Sequence, residues 1–188
     1  MLRTQLLFCL SLLASPAWAE GPFGIEMGSP MSALDSAETS FKVTLNSVPK
    51  PHPDFEMYSA WGTPEHGVCV VMALSKTFEN DRRGALVRSA FTGFAGALDA
   101  KYGNRSTYDV YSGGIWKEAD DWVMSIRQNE RVFAAAWENP QKADPKVEHV
   151  ELQVIALSSD TAVLKLFYKG TDSEKCIQAI DGAKNDSF

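Results

Sequence analysis

The chain has 188 residues, with 18 Lys+Arg against 24 Asp+Glu, 45% apolar side chains and 22% charged ones. That balance is globular and excludes a disordered or collagen-like chain. A formal charge of −6, with no basic run beyond Arg82-Arg83, disfavours nucleic acid and anionic lipid as partners.

Residues 1–19 read as a signal peptide. Arg3 precedes an apolar run from Leu6 to Leu13, broken only by Ser11, and Ala17-Trp18-Ala19 forms an A-x-A ending. The run is shorter than the roughly 20 residues a bilayer span needs, so no stable membrane insertion is expected after cleavage. Cys9 leaves with this segment. Residues 20–180 then read as a single α+β domain and 181–188 as a flexible tail. Loss of Arg3 takes the formal charge from −6 to −7, 17 Lys+Arg against 24 Asp+Glu. Two cysteines remain, Cys69 and Cys176, and an even count in an exported chain predicts a disulfide. No C-x-x-C marks them as a redox pair.

Ser29-Pro30 opens a short predicted helix over Met31 to Glu38, with Ser29 as N-cap and Pro30 at the first helical position. Phe41 to Leu45 follows as a strand. Pro49, Pro51 and Pro53 force an extended connector, because each proline fixes φ and pushes its predecessor out of the helical region. Phe55 to Trp61 and Gly67 to Phe78 read as paired strands. In the second, Val68, Val70, Met72 and Leu74 share one face and Cys69, Val71 and Ala73 the other. The clearest element is a helix over Arg82 to Tyr102, with Val87, Phe91, Phe94, Leu98 and Tyr102 as one stripe. Gly93 and Gly96 inside it suggest close packing on a sheet, and Gly103 sits where a left-handed cap belongs.

A short strand at Thr107 to Tyr111 precedes a shorter helix from about Lys117 to Gln128. Asp120 and Asp121 lie in its first turn, where carboxylates complement the helix dipole. Three strands close the chain: Arg131 to Glu138, Val147 to Leu157 and Thr161 to Lys169. The expected fold is an antiparallel sheet of about five to seven strands, packed on one long and one shorter helix, with one disulfide.

Catalytic signatures are absent: no G-x-S-x-G, no S-x-x-K, no H-E-x-x-H and no phosphate loop. His149 and Glu151 share one face of a predicted strand and could share a cation, but an i, i+2 pair is more often a solvated face. Adjacent Asp120 and Asp121 point about 100° apart on a helix, too far to flank one glycosidic bond. No cofactor, metal site or enzymatic activity is expected. Trp61, at a hairpin end, and Trp116, just before a helix, are the candidate binding residues, since half-exposed tryptophan anchors interfaces with few rotors to freeze.

Phe23-Gly24-Ile25-Glu26-Met27-Gly28, the stretch from Pro49 to Phe55, Gly67-Val68-Cys69, Lys101-Tyr102-Gly103, Gly113-Gly114-Ile115-Trp116 and Glu130-Arg131 resemble a group of uncharacterised exported bacterial α+β proteins. The opening also resembles small envelope assembly lipoproteins of the SmpA type, from which the chain departs in lacking a lipobox cysteine. The resemblance implies an exported location, periplasmic or secreted, and lends no activity. The expected function is a binding protein that engages a protein partner in the bacterial envelope. The alternatives are a small-ligand carrier with a pocket between helix and sheet, beside Gly93 and Gly96, and a hydrolase whose site assembles in space around His66 or His149.

Overall fold

The computed structural model describes residues 21–138 and 140–185. The signal peptide read over residues 1–19, Cys9 and the last three residues of the tail lie outside the described residues. Seven antiparallel strands form one sheet in the order β1-β2-β3-β7-β6-β5-β4. They are β1 (Lys42–Leu45), β2 (Phe55–Thr63), β3 (Gly67–Ser75), β4 (Ser106–Tyr111), β5 (Arg131–Trp137), β6 (Val147–Ala156) and β7 (Ala162–Gly170). Three α-helices accompany them: α1 (Ala85–Tyr102), α2 (Trp122–Arg127) and α3 (Ser173–Asn185). None of these is long and apolar enough to cross a membrane.

Helices α1 and α2 cover one face of the sheet over β5, β6 and β7. The core lies there, built on the alternate residues Val150, Leu152 and Val154 of β6 and Leu164, Leu166 and Tyr168 of β7. Helix α1 starts at Ala85 rather than at the expected Arg82. Buried Asp81 accepts the amide protons of Leu86 (3.1 Å) and Val87 (2.9 Å), and so caps the first turn from outside it. At its other end Gly103 takes φ 87° and its amide donates to the Asp99 carbonyl at 2.8 Å. The buried stripe is Val87, Phe91, Ala95, Leu98 and Tyr102. Gly93 and Gly96 are not packed on the sheet, as their place in the helix suggested. A Cβ on either would meet no atom within 4 Å outside its own stretch of helix.

Helix α3 occupies the other face, over β2 and β3, and was not legible as a helix; its last turns run through residues 181–185. The Cys69–Cys176 disulfide ties it to β3 across a separation of 107 residues. A register shift at Trp61/Gly62 leaves Cys69 as an extra residue on β3. The alternation read from the sequence therefore fails there: Cys69 and Val70 both join Cys176 and Ile180, while Val68, Val71 and Ala73 face the main core.

The helix expected at Met31 to Glu38 is only a 3₁₀ turn, Met31–Ala33. The reason is a competing set of bonds to β1. The Ser36 hydroxyl donates to the Thr44 carbonyl (2.8 Å), the Thr44 amide to Glu38 Oε1 (3.3 Å) and the Asn46 amide to the Asp35 carbonyl (2.8 Å). Residues 35–40 are drawn along the sheet edge instead of winding up. The second predicted helix is likewise shorter: Ala119–Asp121 form a 3₁₀ turn and only Trp122–Arg127 are α-helical. Asp120 and Asp121 pair there with Arg83 and Arg82.

Candidate functional site

The two candidate tryptophans stand at opposite sides of the sheet. Trp61 is on β2 and Trp116 follows β4, five strand spacings away, about 24 Å at 4.8 Å each. They cannot form one surface. Trp61 is half-buried beneath α3, packed against Phe167 (ring centroids 5.7 Å) with the Lys42 ammonium 4.9 Å over its ring. With Phe41, Ile177 and Ile180 it lines a groove of about 380 Å³ between the β1 side of the sheet and α3.

Trp116 belongs to the loop that leaves β4, and Glu130 organises that loop. Its carboxylate accepts the amide protons of Ile115 (3.3 Å) and Trp116 (2.9 Å) and the Tyr111 hydroxyl (3.4 Å). Gly114 allows this approach: it sits at φ 146°, and a Cβ there would lie 2.0 Å from the Glu130 carboxyl carbon. The loop thus holds Ile115 in solvent, 77% exposed.

The sheet has two edges, and the chain treats them differently. On β1 and the residue after it, the residues whose backbone points away from β2 are Lys42, Thr44 and Asn46, as the Gly62 amide bond to the Phe41 carbonyl (2.9 Å) sets the alternation. Ser40, Ser36, Glu38 and Asp35 bond to all three. On β4 the Ser112 amide donates to the Glu130 carbonyl at 2.8 Å, which makes 106, 108 and 110 the residues bonded to β5. Thr107, Asp109 and Tyr111 therefore turn their amides and carbonyls outward, and among the described residues nothing meets them.

Side chains around this open edge are apolar on one face. Tyr108, Val110 and Val132 are 43%, 54% and 44% exposed and adjacent in register. On the other face Asp109 is ion-paired to Arg131, whose guanidinium also lies 5.4 Å over the Tyr111 ring. The edge carries no lysine or proline, the usual guards of a free strand, and its one charge is neutralised in place.

The three histidines stand in separate settings. His66 Nδ1 lies 3.0 Å from the Thr63 hydroxyl, and His52 Nδ1 accepts the Asp54 amide at 3.2 Å. His149 lies between Glu138 (3.3 Å) and Glu151 (3.8 Å), and Glu151 continues to Lys165 at 3.4 Å. Among the described residues no histidine bonds to both a hydroxyl and a carboxylate, and no three His, Cys, Asp or Glu side chains gather to hold a metal.

The His149 pair is electrostatic. Glu151 first, then Glu138, hold the imidazole above its ordinary value, against burial and against Lys169, its partner across β7. A raised folded pKa contributes stability fully present below the unfolded value of about 6.5, which is lost as pH rises through the folded value. Urea midpoints are thus expected to fall as pH is raised from 6 to 8, and to lose that part of their dependence in His149→Gln. Equal slopes in the two proteins would refute the assignment.

No protein family, no curated protein and no solved structure matches the chain.

Proposed function

We propose that this chain is an exported, disulfide-bearing binding protein of the bacterial envelope, periplasmic or secreted, which engages another protein by adding an extended segment of it to β4. The observation that carries this reading is the open β4 edge, against a β1 edge closed by the chain itself. The outward amides and carbonyls of Thr107, Asp109 and Tyr111 supply the ladder, and alternate apolar side chains of the segment would rest on Tyr108, Val110 and Val132. Export is supported by the leader-like sequence at residues 1–19 and by the Cys69–Cys176 disulfide, which an oxidising compartment maintains.

Thr107→Pro tests it. Proline removes an outward amide that takes no part in the β4–β5 ladder, so the fold should persist. A photo-crosslinking residue at Val110 is expected to trap one partner polypeptide in the native envelope, read by mass spectrometry. Thr107→Pro should abolish the crosslink, and Trp61→Ala, far from this edge, should leave it. A crosslink that survives Thr107→Pro, or none at all, would overturn the reading.

A further inference from the structure

A second concavity lies on the opposite side of the fold from the β4 edge, where α1 passes the extended connector before β2. It is an open groove of about 510 Å³, with His52, Asp54, Lys76, Gly93 and Ala97 exposed and Phe78, Ala90 and Phe94 half-buried. Its apolar lining is Phe78, Ala90, Phe94 and Ala97, and Gly93 opens it, since that position of α1 has no side chain and no neighbour.

The polar groups at the cleft are few and of defined character. The His52 ring stands edge-on to Phe55 and Phe94, at 5.6 and 5.4 Å between centroids. The Asp54 amide donates to Nδ1, so the neutral ring carries its proton on Nε2 and offers it as a donor. Lys76 also borders the cleft, and its ammonium has no ion pair or hydrogen bond among the described residues. Asp54 is the one carboxylate at the cleft, 3.8 Å from His52. The Lys76 ammonium and the His52 Nε2 proton suit a single carboxylate, whereas Asp54 disfavours a dianion.

We infer that this cleft binds a small monocarboxylic acid with an apolar body, its carboxylate held by Lys76 and His52 and its body lying along Phe94, Ala90 and Ala97 in the space that Gly93 leaves open. The site is independent of the β4 edge.

Decanoate is the probe, with decan-1-ol as its uncharged counterpart. Titration of the oxidised protein, followed by the Ala90 and Ala97 methyl resonances, is expected to saturate below about 1 mM. Lys76→Gln should weaken decanoate about fivefold, the worth of one exposed ionic contact, and leave decan-1-ol unchanged. Gly93→Leu fills the cleft from a position where the added Cβ meets no atom within 4 Å, and leucine is the better helix former. It should fold normally, by circular dichroism, and bind no decanoate. Saturation that persists in Gly93→Leu overturns the site, as does its absence up to about 10 mM. Equal affinity for decanoate and decan-1-ol overturns the carboxylate assignment.

Discussion

Trp137→Ala is expected to lower the unfolding free energy by about 3–5 kcal/mol, measured from urea denaturation. Trp137 is 1% exposed at the end of β5, among the largest side chains fully removed from solvent. Its indole nitrogen donates to Asp99 Oδ1 and to the Gly103 carbonyl, both at 3.1 Å. Those acceptors lie in the last turn of α1 and at its cap, so one side chain fills the core and fastens the long helix to the sheet. Asp99 keeps Arg105 as an ionic partner when the indole is gone; the Gly103 carbonyl loses a bond. Trp137→Phe separates the two contributions. It keeps an aromatic ring and removes the donor, at an expected loss of about 1–2 kcal/mol. A loss under 1 kcal/mol for alanine would mean that α1 is held by its apolar stripe alone.

Removing the disulfide is the second large effect. Closing a loop across 107 residues restricts the unfolded chain by roughly 4–5 kcal/mol on the chain-entropy account. Helix α3 depends on this link more than α1 depends on any one residue. It has 13 residues, a marginal length for an isolated helix, and among the described residues its apolar contacts are Cys176, Ile177 and Ile180 against Trp61, Val70 and Phe167. The variant with both Cys69 and Cys176 changed to alanine is expected to lose amide protection in α3 first, and to unfold at a urea midpoint lowered by that free energy divided by m. Protection retained in α3 would show that the helix docks without its tether.

The stripe of α1 and the alternation of β6 and β7 were legible because each element buries one face against one partner, and burial then writes its period into the chain. Cys69–Cys176 was legible by count. Helix α3 was not: its few apolar residues, Cys176, Ile177 and Ile180, stand in a polar surround, and it is held by a cross-link distant in sequence. At Cys69 a single inserted residue exchanged the two faces of β3, which no alternation rule anticipates. Gly93 shows a third kind of silence. A glycine in a helix can mark a close contact or an open space, and only the rotation of α1, set by Val87, Phe91 and Ala95, decides between them. For the candidate site, Trp116 was legible from its position just before a predicted helix. The β4 edge beside it could not be, because which strand ends a sheet is a property of the order β3-β7-β6-β5-β4 and not of the residues 106–111 themselves.

The unequal edges also set a stoichiometry. A sheet with two open edges can grow in both directions and build a filament of indefinite length. Here β1 is occupied by residues 35–40 of its own chain, and β4 alone has outward bonds to give. Two copies can therefore pair only once, β4 to β4, so strand association between copies of this chain closes at a dimer and cannot propagate.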